Sequence, residues 1–191
     1  MLTFRPQLLL FSCILMSVCA LTSACSDDIS SDEEARQAYL SLDPVVAQAL
    51  DLGFEGFNAA SSANIPAQSA AGPKGGTISV AGKVNQGSSS NKNMDLTLGL
   101  VGWTADTAIV FHTSTDTAAQ PKLTLSLKKL PDADLTGTLV GTFTMTGDLK
   151  RAVVLNLSIV GKTMADSTGK IVRKPGSMRI TGTATAGGDA F

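Results

Sequence analysis

"LTGTLVGTFTMT", residues 135–146, alternates two kinds of side chain almost without a break. Leu135, Leu139, Phe143 and Met145 fall on one phase, and Thr136, Thr138, Thr142, Thr144 and Thr146 on the other. A period of two is a β-strand with one face buried and the other wet. The same pattern recurs on both sides. Ile78, Val80 and Val84 alternate with Ser79 and Lys83, and Met94, Leu96, Leu98 and Leu100 with Asp95, Thr97 and Gly99. Ala108 to Thr113, Leu123 to Lys128, Ala152 to Val160 and Met178 to Ala186 continue it, with a short strand at Lys170 to Arg173. The links "QGSSSNKN", "STDTAAQP", "KLPDAD", "TGDLKR" and "ADSTGK" are too short for parallel crossovers. The fold class is therefore mainly β with an N-terminal helical segment, an antiparallel meander of about seven or eight strands. Gly82, Gly137 and Gly182 sit on the apolar phase, where a missing side chain permits a bend or a close approach. They predict a strongly curved sheet or open barrel.

Upstream the period is helical. Ser31 and Glu34 form a capping-box pattern, and Asp32, Glu33 and Glu34 place negative charge at a helix start, which predicts a helix from Asp32 to Leu42. Asp43-Pro44 predicts a break and a second start. From Pro44 to Ala60, Val45, Val46, Ala49, Leu50, Phe54 and Phe57 make one apolar face, opposite Gln48, Asp51, Glu55 and Asn58. The acidic polar face suits packing on the sheet's apolar side rather than on a bilayer. Residues 32–60 thus read as the helical segment, 61–76 as a linker rich in Ala, Ser, Pro and Gly, and 77–191 as the β domain, with 32–191 one folding unit.

At the start, Arg5 precedes an uncharged run from Leu8 to Ala24, ending in "LTSAC", residues 21–25. A basic start, an apolar centre and small residues before a cut make a secretory signal. Leu21-Thr22-Ser23-Ala24-Cys25 resembles the lipobox of bacterial lipoproteins, with Thr22 where Leu is more usual. The resemblance covers only the first 25 residues. It implies a signal peptide over 1–24, lipidation of Cys25, a tether over 25–31 and attachment to a membrane of the cell envelope. Ser26, in place of the aspartate that favours inner-membrane retention, implies the outer membrane. All three cysteines, Cys13, Cys19 and Cys25, lie in this region, so cleavage would leave Cys25 with no partner for a disulfide or a cysteine metal site.

Chemistry is sparse elsewhere. The net charge of -1, with scattered basic residues, argues against a nucleic-acid partner. His112 is the sole histidine, without a partner motif, and reads as a surface residue at a strand end. The carboxylates lack calcium-loop spacing, so no metal or cofactor is expected. Ser126 to Lys129 and Ser167 to Lys170 match the spacing of serine-lysine hydrolases, yet fall in a strand and a turn rather than on a helix. Gly161-Lys162-Thr163 reads as a hairpin turn, because Asn156 stands where a phosphate loop needs glycine. Phe191 ends the chain as in outer-membrane barrels, but 5% aromatic residues cannot supply two interfacial girdles. Trp103, Phe111 and His112 form a candidate aromatic binding patch, weighed against a tryptophan in the core. The threonine row of 136–146 is a candidate for a regular ligand surface, although threonine is also the preferred solvated strand residue.

The sequence points away from an enzyme and toward a lipid-anchored envelope protein that binds an envelope partner or has a structural role. The alternative is a carrier of a lipid or other apolar ligand in the cavity of the curved sheet. A helix inside that cavity would be a plug, and a helix at its rim would leave a pocket.

Overall fold

The computed structural model describes residues 32–85, 89–186 and 189–190; Cys25, Ser31 and the final Phe191 lie outside them. One helix, α1 (Asp32–Ala59), precedes ten strands. These are β1 (Asn64–Ala71), β2 (Gly75–Val84), β3 (Lys92–Thr104), β4 (Ile109–His112), β5 (Lys122–Lys128), β6 (Asp134–Gly147), β7 (Ala152–Ala165), β8 (Ile171–Arg173), β9 (Arg179–Ala186) and β10 (Asp189–Ala190). Every pairing is antiparallel.

The order across the sheet follows the chain, with two interruptions. β4 and β5 both lie between β3 and β6, end to end: Phe111 faces Trp103 and Met145, while Leu123 faces Leu96 and Leu139. β8 and β9 flank β7 in the same way, Ile171 opposite Ala165 and Ile180 opposite Ile159. Each pair behaves as one strand with a loop extruded from its middle.

The sheet curls into a ring whose path runs from β1 to β10 without a ladder closing it among the described residues. Gly82 and Gly182 make this curvature possible. A Cβ on Gly82 would stand 2.0 Å from the Asp95 carbonyl oxygen, and one on Gly182 2.1 Å from that of Asn156. At both positions the neighbouring backbone closes over space a side chain would fill.

α1 occupies the concave side and spans the seam, touching β1 and β2 on one flank and β8 and β9 on the other. Leu42, Val45, Val46, Ala49, Leu50 and Phe54 join the inward residues of the strands in one buried cluster. The break expected at Pro44 is absent, because Pro44 lies inside a continuous helix. A mid-helix proline costs about 3 kcal/mol. Burial of Leu42, Val45, Val46 and Leu50, worth roughly 1.5–3 kcal/mol each, outweighs that cost. The carbonyl left without its helical donor is that of Leu40, a residue 51% exposed, so water can satisfy it.

The linker expected over 61–76 is also corrected, since β1 and the start of β2 fall within it. Ile65 is the one large side chain that β1 buries, and it seats on Gly56 of α1. β7 runs on to Ala165, so Gly161-Lys162-Thr163 is strand rather than turn, with Gly161 opposite Leu135.

Candidate functional site

The aromatic trio does not form one patch. Trp103 and Phe111 lie directly opposite each other on β3 and β4, with ring centroids 6.2 Å apart, and both are wholly buried. Trp103 Nε1 donates to Gln48 Oε1 at 2.8 Å, and Gln48 Nε2 donates to the Ala71 carbonyl at 3.0 Å. The tryptophan therefore ties α1 to the end of β1. His112, next along β4, turns to the other face. It is half-buried rather than a surface residue, and its Nδ1 accepts the Gly102 N–H at 3.2 Å where Gly102 adopts φ +61°. The three side chains serve the packing of the β3–β4 hairpin on two opposite faces.

A second location is the seam itself, where a groove of about 580 Å³ runs between α1 and the β7–β8 hairpin. Its polar groups are largely committed to each other. Arg173 donates to both Asp51 carboxylate oxygens, at 2.8 and 2.7 Å. Asn58 copies a strand: its Nδ2 donates to the Ile171 carbonyl at 2.8 Å and its Oδ1 accepts the Ile171 N–H at 2.9 Å. Asp166 Oδ1 accepts from Thr168 Oγ1 at 2.7 Å, Thr168 N at 2.8 Å and Lys170 N at 3.0 Å. The Thr168 hydroxyl bond, then its amide, hold that carboxyl below the usual carboxylate range. The Asn58 and Arg173 contacts tie α1 to β8 across the seam, while those of Asp166 order the β7–β8 turn.

The third location is on the convex face. Thr124, Ser126, Thr136, Thr138 and Ser158 line a shallow depression of about 500 Å³ across β3, β5, β6 and β7, bordered by Asn93 and Asp95. Strand register brings Thr124, Thr138 and Ser158 into one row and Ser126 and Thr136 into the next. Thr124 and Thr138 share a hydrogen bond of 2.8 Å between their hydroxyls. Toward the end of the sheet, Lys128, Asp134 and Lys162 form a further row, with Lys162 Nζ 2.7 Å from Asp134 Oδ1. The Lys162 hydrogen bond, then its charge and those of Lys129 and Lys128, lower the Asp134 carboxyl.

No family model, curated protein or solved structure matches the chain.

Function therefore rests on these three locations. Ser126 and Lys129 lie in β5 and the turn after it, and Ser167 and Lys170 in the β7–β8 turn, so neither serine-lysine spacing is on a helix. Among the described residues no group of His, Cys, Asp and Glu side chains is placed to hold a metal, and no helix is long and apolar enough to cross a membrane. Sequence reasoning missed the Asn58–Ile171 stitch and the lysine row. Partners 113 and 28 positions apart carry no local signal.

Proposed function

We propose that the protein is a lipid-anchored component of the bacterial envelope, tied to the outer membrane through Cys25, that acts by binding at its outer surface rather than by catalysis. The observation that carries the anchor is the run Leu21-Thr22-Ser23-Ala24-Cys25 after an uncharged apolar stretch. The start of α1 supports it: Asp32 follows Cys25 by seven positions, a reach of at most about 25 Å, so the domain would ride close to the lipid surface.

The filled interior supports a role at the outer surface. α1 packs its apolar face into the concave side, with Val45, Ala49 and Leu50 fully buried there. A carrier would have to displace this helix to admit a ligand, which favours the binding or structural role over the carrier. On the convex face Thr124, Ser126, Thr136, Thr138 and Ser158 line a shallow depression.

The test is a Cys25→Ser variant expressed beside the wild-type chain. Wild type should fractionate with outer membranes and the variant with soluble protein, while mass spectrometry of gently extracted wild type finds no copurifying apolar ligand. Membrane association of the variant would overturn the anchor, and a stoichiometric bound lipid would overturn the preference over a carrier.

A further inference from the structure

We infer that the convex face of β3, β5, β6 and β7 docks an anionic polysaccharide, its hydroxyl-lined depression taking the sugar hydroxyls and its lysine rim the acid groups. This deepens the proposed binding role and rests on it, but not on acylation of Cys25.

The rim is built by register. Lys128, Asp134 and Lys162 face one another across β5, β6 and β7. The Lys174 N–H bonds to the Lys162 carbonyl at 2.8 Å, which extends the row by one strand. Arg173 turns toward Asp51 of α1, and the exposed Lys174 that follows β8 ends the row at the seam, where it lines a pocket with Asp51 and Arg173. Lys128, Lys162 and Lys174 are exposed, as is Lys129 beside them, and Arg179 lies opposite Val160 one row away. The carboxylates nearby are Asp134, held by Lys162; Asp132, in the turn before β6; and Asp95, which lies opposite Lys83. Cations outnumber acids along the rim, and adjacent strands set them about 4.8 Å apart or a multiple of it. That is a row of cations interrupted at its centre by Asp134, which Lys162 pairs.

Beside this line the surface offers hydroxyls and amides: Thr124, Ser126, Thr136, Thr138, Ser158 and Asn93. Together they match a polymer that carries both hydroxyl and acid groups. A protein partner is a poorer fit, since protein interfaces centre on a buried aromatic or large apolar anchor, and the exposed apolar side chains of β6 and β7 are the valines Val140, Val154 and Val160. A bilayer is a poorer fit by position. The start of α1 lies with the turns around Asp106 and Asp148, at the opposite end of the ring from the lysine row.

The full-length chain in neutral detergent is titrated with heparin as the probe, beside neutral dextran, polyglutamate and phosphatidylglycerol vesicles. Heparin should bind, weaken as salt rises, and exceed the other three. Lys128→Gln, Lys162→Gln and Lys174→Gln combined should lower heparin affinity roughly tenfold, a few-fold for each exposed contact. Asp134→Asn, which removes the rim's central negative charge, should raise it. Lys74→Gln, at the other end of the ring, should leave it unchanged. Wild-type affinity in the triple variant, or weaker binding by Asp134→Asn in a chain that still folds, would overturn the proposal. So would polyglutamate or vesicles binding as tightly as heparin. Failure here leaves the Cys25 fractionation result untouched, so the two readings fail separately.

Discussion

Changing Asn58 to Ala should unlatch the ring at its seam. The Asn58 side chain makes both polar contacts of a strand to Ile171 and a further one, at 2.8 Å, to the Phe54 carbonyl. Alanine would leave the Ile171 N–H and C=O without their partners. At about 1 kcal/mol net per bond, the two seam contacts sum to about 2 kcal/mol. With a urea m-value of about 2 kcal/mol/M for a domain of this size, the unfolding midpoint should fall by about 1 M. Asp51→Ala removes the neighbouring ion pair, whose aspartate is 56% exposed, and should cost less than about 1 kcal/mol. Amide exchange supplies the local readout: the Ile171–Arg173 segment should exchange faster in Asn58→Ala, while the β6–β7 ladder keeps its protection. The reasoning is refuted if Asp51→Ala costs more than Asn58→Ala, or if exchange at Ile171 is unchanged.

Gly82→Ala should destabilise the fold by about 3 kcal/mol or more, because the added Cβ would press on backbone of β3 rather than on a movable side chain; a thermal melt within a few degrees of wild type would contradict this. Trp103, the single tryptophan and wholly buried, should emit at short wavelength and resist acrylamide quenching until the protein unfolds. Ready quenching of the native protein would restore the aromatic patch on the surface. Asp166 has a folded pKa lowered by the Thr168 hydroxyl and amide, so its contribution to stability is fully present above the ordinary value of 3.8 and is lost as pH falls through the lower folded value. An NMR titration of the Thr168 amide should therefore show its transition below pH 3.8.

The strands with large residues on one phase were legible from the sequence, and β6 above all, because a wet threonine face and a buried leucine face leave a period of two. β1 was hidden because only Ile65 among its residues is both large and inward, and its Ala, Ser and Pro read as a linker. Pro44 misled in the opposite direction, as the local rule for proline gave way to four buried side chains on the same helix. The glycines at 82 and 182 correctly signalled curvature. That β4 and β5 share one position between β3 and β6 had no signature, since end-to-end strands look like any two neighbours in a meander. In the candidate sites, Trp103 and His112 read as companions because they pair with or flank Phe111, but alternation along β4 sends Phe111 and His112 to opposite faces. The lysine row required register, and Lys128 and Lys162 meet only through Asp134.

The central claim, that this domain is an envelope protein tethered at Cys25, is tested most directly by mass spectrometry of the N-terminal peptide from membrane-extracted protein. The expected chain begins at Cys25, with a diacylglycerol thioether on its sulfur and no residue from 1–24. A chain that retains those residues, or begins elsewhere with Cys25 unmodified, would contradict it.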